Sequence, residues 1–146
     1  MLLGRLCICT LFISAGIGKF LEPEPTAQYM AIKGMPLIPF FLYSAAILEV
    51  LGGVLLFFGL MTRWAVLGLA LFLIPATLIF HNFWSAPPGE AEIELIMFFK
   101  NLAIFGGLLY IAATGAGKIS LDYLFGIDTC KEITTQDVRP ENKDRI

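Results

Sequence analysis

The sequence is poor in charge. Asp, Glu, Lys and Arg make up 15% of its 146 residues, where a soluble domain carries about a quarter. With 58% hydrophobic residues and a mean hydropathy of +0.80, it lacks the polar side chains to cover a globule in water. Histidine is scarcer still. His81 stands alone, which excludes a haem held by two histidines of one subunit. Cysteine is limited to Cys7, Cys9 and Cys130. None forms a C-x-x-C pair, so neither a dithiol redox centre nor a four-cysteine zinc site fits. A basic excess is missing too: net charge −2 and a pI of about 5.3 leave no footprint for nucleic acid. No phosphate-loop or dinucleotide pattern occurs. What remains is an integral membrane protein of a length that suits one domain.

Four apolar runs are long enough to cross the roughly 30 Å hydrocarbon layer as helices. They cover residues 2–21, about 39–60, 64–84 and about 94–114. None alternates in the manner of a barrel strand. The expected fold is therefore an all-α membrane protein, a four-helix up-and-down bundle over residues 1–123. A polar, partly disordered tail follows over 124–146. The first run reads as a retained span and not as a cleaved signal, because it continues to Lys19-Phe20-Leu21 without an A-x-A-like site. Positive charge sets the direction. Arg5, Arg63, Lys118, Lys131, Arg139, Lys143 and Arg145 gather on one side and Lys33 stands on the other, so both termini are expected in the cytoplasm. All three cysteines then meet a reducing compartment as free thiols. In the first outer loop, Pro25 and Gly34 bracket a short interfacial helix from Thr26 to Lys33. Tyr29 and Trp84 suit the outer aromatic belt, and Trp64 the inner one.

Polar groups within the spans cost about 2.5–3.5 kcal/mol each near the helix centre on insertion scales. Each needs a partner or a purpose. The chain places Lys19 on the first helix, Glu49 on the second, His81 and Asn82 on the third, and Lys100 and Asn101 on the fourth. Every helix thus sends an ionisable group toward the outer half, where they can converge in one chamber. An imidazole there can donate to a quinone carbonyl, shuttle a proton or ligate a metal, but His81 with Glu49 is too thin a ligand set, and no metal is assigned. A plainer arrangement stays open: Glu49 pairs with Lys100 or Lys19 to fix helix register, and His81 and Asn82 only hydrogen-bond. The acids Glu90, Glu92 and Glu94 complement a helix dipole. Small residues (Ser14, Ala15, Gly18; Ala45, Ala46, Gly52, Gly53; Ala103, Gly106, Gly107) mark expected packing faces, and Pro75 is expected to loosen the third helix.

Several stretches together resemble the DoxX family. They are Phe12-Ile-Ser-Ala-Gly-Ile-Gly-Lys19-Phe20 before an acidic, proline-containing loop, Glu49-Val-Leu-Gly-Gly53, Gly59-Leu-Met-Thr-Arg63, His81-Asn-Phe-Trp84, the run from Phe99 to Leu109, and the close from Gly115 to Asp122. The resemblance covers about residues 4–123. It implies a multi-pass protein of the bacterial inner membrane, and points to Lys19, Glu49, His81, Asn82 and Lys100. Related proteins are membrane subunits of quinone-linked sulfur oxidoreductases or are tied to oxidative-stress defence. The first functional expectation is accordingly a membrane subunit of a quinone-linked redox or oxidative-stress system. In it Glu49, His81 and Lys100 are catalytic, and Lys19, Asn82 and Asn101 hold the substrate. The chain offers no electron carrier, so a quinone or a redox partner must supply one. The alternative is a non-catalytic membrane protein that anchors or assembles a protein partner, alone or as a homo-oligomer. A transporter fits less well, since no duplicated half or broken helix is evident.

Overall fold

A computed structural model describes residues 1–87 and 89–127; the expected tail from 128 onward, with Cys130, lies outside them. Backbone polar groups in lipid have no water to bond, so a spanning segment closes its own hydrogen bonds as a helix. Four long helices do so: α1 (Leu2–Leu21), α3 (Ile38–Phe58), α4 (Thr62–Phe80) and α5 (Ala91–Thr114). Each is long and apolar enough to cross a membrane. A short α2 (Pro23–Ile32) follows α1, a 3-10 turn (Phe83–Ser85) follows α4, and α6 (Leu121–Leu124) ends the described chain.

The boundaries follow from local chemistry. Pro23 and Pro25 sit in the first turn of α2, where their missing N–H groups cost no helical bond, so α2 starts three residues before the expected Thr26. It ends in a Schellman turn: Gly34, at φ +70°, donates to Ala31 O, and Met35 N donates to Met30 O. Gly59 ends α3 in the same manner, with Leu60 N bonded to Leu55 O. The α4 helix runs through Pro75 without a break.

The helices alternate in direction. One end of the bundle carries α2, the end of α4 and the start of α5. The other carries Arg5, the α3–α4 turn and the closing segment 115–127. The tightest seam is α1 against α3. A Cβ built on Gly16 would lie 2.9 Å from Ala46 O, and one on Gly53 would lie 3.2 Å from Cys9 O, so these backbones meet as only small residues permit. Gly18 and Gly106, expected on packing faces, have open space around them. Sequence spacing marked a small-residue stripe on α1 but not which side of it faces α3. Phe12, Leu56, Val66, Leu69 and Leu108 fill the centre. Many of the other large apolar side chains, Leu51, Phe58, Leu71 and Ile96 among them, are exposed, as a lipid solvent requires.

The Arg5 end is tied across the whole chain. Arg5, 2% exposed, donates from one terminal nitrogen to Ala116 O at 2.7 Å and from the other to Ile119 O at 2.7 Å. Asp122 accepts from the backbone N–H groups of Met61 (2.7 Å) and Thr62 (2.8 Å). It thereby caps the start of α4 from a distant part of the sequence, while its own N–H bonds Gly59 O.

Candidate functional site

The expected chamber is divided in the structure. Lys19 and Glu49 meet on the α1–α3 seam, Nζ donating to Oε2 at 2.6 Å, with side chains 18% and 7% exposed. This pair answers which cation Glu49 takes: Lys19, and not Lys100. Lys100 is on the exposed side of α5, where among the described residues its ammonium bonds the sulfur of Met97 at 3.1 Å. Asn101 donates to Thr77 Oγ1 at 3.1 Å across α4 and α5. Asn82 accepts from Lys33 at 2.8 Å and donates to Ser85 Oγ at 2.6 Å.

His81 is where a second polar set forms. It caps the end of α4, its N–H bonded to Thr77 O, which turns the ring toward the first turn of α5. There His81 Nδ1 lies 2.9 Å from Glu94 Oε2. The other carboxylate oxygen, Oε1, faces the Tyr29 hydroxyl at 2.9 Å, and that hydroxyl is also 2.8 Å from Phe80 O. Lys33, one turn after Tyr29 on the chain, lies over the Tyr29 ring, 5.4 Å from its centre. With Glu94 ionised, Nδ1 carries the proton of the His81–Glu94 bond, and Nε2 is left with no partner among the described residues. Burial, then the hydrogen bond and charge of Glu94 and the charge of Glu90, push the Tyr29 phenol up to about 12. Tyr29 therefore stays a hydroxyl donor at any physiological pH.

Sequence reasoning did not single out Glu94 and Tyr29. Glu94 passed as one of three dipole-matching acids, and Tyr29 as a belt aromatic. The available signal was His81 itself, since a working imidazole needs an acid on its second nitrogen to fix its tautomer, and Glu94 opens the next span. No hydrogen bond or ion pair joins the Lys19–Glu49 pair to the His81 set among the described residues.

One helical turn from His81, about 6 Å along α4 at 1.5 Å per residue, an apolar cleft opens between α4 and α5. Its volume is about 200 Å³, and its lining includes Leu73, Thr77, Phe98, Asn101 and Phe105. Thr77 and Asn101 are its polar points. Phe98 connects the two places, packing edge-on against Phe83 (5.4 Å) and Trp84 (6.1 Å) of the turn that follows His81.

A family model, DoxX, matches residues 1–82. Inner membrane protein YqjF of Escherichia coli (strain K12) is 37% identical over 85% of this chain and 90% of its own length. Inner membrane protein YphA of the same organism is 31% identical over 84% of this chain and 87% of its own. A Bacillus subtilis (strain 168) protein named "Putative oxidoreductase CatD" is 34% identical, over 83% of each chain. No solved structure matches. With four helices able to span a bilayer, and relatives of this kind along most of its length, the chain is a multi-pass inner-membrane protein and belongs to the DoxX family.

Proposed function

We propose that the protein is a membrane subunit of a quinone-linked redox system, with the quinone ring in the α4–α5 cleft and proton exchange at His81. The observation that carries this reading is Glu94 held between His81 Nδ1 and Tyr29, one turn from an apolar cleft with an amide in it. The residues fit a quinone. The Asn101 amide has two N–H donors and Thr77 takes one, so one is left for a ring carbonyl. Phe98 and Phe105 give the ring apolar walls, and the cleft is bounded by two spans, giving an isoprenoid tail a lateral path from the bilayer. A bound quinone supplies two-electron chemistry, its electrons coming from a redox protein, because the chain carries no cofactor-binding pattern of its own. His81 exchanges the accompanying protons at Nε2 while Glu94 stabilises the imidazolium and Tyr29 holds Glu94 in place. In this reading Glu49 and Lys19 set the register of α1 on α3 and take no part in the chemistry. The α2 end faces away from the cytoplasm, following the cation count. The name of the Bacillus relative agrees with a redox role.

The test is protein purified in mild detergent, its solvent extract analysed for quinone by mass spectrometry. Wild type is expected to carry stoichiometric quinone, and Asn101→Ala to lose at least tenfold. His81→Ala should keep quinone but lose turnover with an added electron donor. A wild type free of quinone that also binds none on addition would overturn the reading. In that case the internally paired Lys19–Glu49 and Arg5 contacts favour a second one, a rigid membrane scaffold that assembles another protein.

A further inference from the structure

At the opposite end of the bundle, α1 and α5 make only slight contact, and a cavity of about 220 Å³ lies between them. Its lining joins Gly4, Arg5 and Ile8 of α1 to Gly107, Tyr110 and Ile111 of α5. It belongs to neither polar set described above, and nothing about it depends on the quinone reading.

The cavity is amphipathic in an uneven way. Its walls are glycine and aliphatic side chains, and its charged member is a buried guanidinium. Arg5 has no carboxylate partner among the described residues: its terminal nitrogens meet two carbonyls, and its Nε–H is buried without an acceptor. Carbonyl oxygens offset part of a cationic charge, but they do not neutralise it. The charge of nearby Asp122 reaches Arg5 through space, but both its oxygens are bonded to the start of α4 and neither bonds the guanidinium. A pocket between spans that joins a buried guanidinium to an apolar floor has the form that takes an anionic lipid headgroup. A free inorganic anion would have no use for the Ile8–Gly107–Ile111 floor, whereas the first carbons of a glycerolipid would lie along it.

We propose that the α1–α5 cavity seats the headgroup of an anionic phospholipid, with Arg5 as the residue that selects its charge. Replacing Arg5 is a poor first test, because it would also break the bonds to Ala116 and Ile119. Gly4 gives a cleaner one. It lines the cavity, yet a Cβ built on it meets no heavy atom within 4 Å, so Gly4→Leu adds bulk at the cavity wall with no clash at its Cβ. Gly18, equally open and outside the cavity, supplies the control Gly18→Leu.

The experiment is native mass spectrometry on the full chain, delipidated in detergent and titrated with phosphatidylglycerol or phosphatidylethanolamine. Wild type and Gly18→Leu are expected to hold one phosphatidylglycerol at least tenfold more tightly than phosphatidylethanolamine, and Gly4→Leu to lose that preference. Equal binding of the two lipids by wild type would overturn the proposal, and so would an unchanged preference in Gly4→Leu. Displacement of the lipid by millimolar inorganic phosphate would make the ligand a free anion and overturn the lipid assignment.

Discussion

Tyr29 has one proton and two acceptors, Phe80 O at 2.8 Å and Glu94 Oε1 at 2.9 Å. It can serve only one at a time, so the state of Glu94 decides where the hydroxyl points. A phenol that ionises near 12 when folded and near its ordinary 10 when unfolded holds its proton longer in the native state. The stabilisation is complete below about pH 10 and is lost as the pH rises toward 12. Absorbance titration should therefore show a component ionising near 12 that is missing in Tyr29→Phe. A Tyr29→Phe curve that loses nothing above about pH 11 would refute the contact. Of this site, His81 and Asn82 could be read from sequence because polar groups at the end of an apolar run are conspicuous. Glu94 could not, since three acids two residues apart look alike until the helix turns one of them inward. Lys100 shows the reverse: its place in a span marked it, but the face it occupies on α5 was not readable from charge.

The helices were the most legible level, because 20 consecutive apolar residues have few alternatives in water or lipid. The ends of the first span match, while others moved by up to four residues for reasons of capping, as at Leu37, Gly59 and His81. The α1–α3 seam carries a charge pair as well as its glycines. Removing one member of a buried ion pair leaves the other uncompensated, at a cost of about 3–5 kcal/mol, while replacing both with apolar groups is often close to neutral. Unfolding in a denaturing detergent series should place Lys19→Met and Glu49→Leu well below wild type. The double variant Lys19→Met/Glu49→Leu should regain most of the loss. If it does, and quinone content is unchanged, the pair is a register device. A double variant no more stable than either single one would refute that assignment.

For the molecule as a whole, the uneven cations predict a direction in the bilayer, and the structure offers two well-separated reporters of it. Lys33 is beside Asn82 at the α2 end, and Lys118 is in the closing segment by Arg5. Single cysteines at these positions, in a chain cleared of Cys7, Cys9 and Cys130, should label from opposite sides of intact cells. Position 33 should react with an impermeant reagent, and position 118 only after lysis. The opposite pattern would place the His81 set in the cytoplasm and reverse the proposed side of proton exchange. The way Asp122 caps α4 also sets an order in time. Asp122 lies 61 residues beyond Met61, so at about 5–20 residues per second the ribosome delivers it roughly 3 to 12 s later. Until then the leading amides of α4 lack their carboxylate cap and are left to water. This end of the bundle can be fastened only after residue 122 has been made, so a chain stalled before it would hold its third span without that tie.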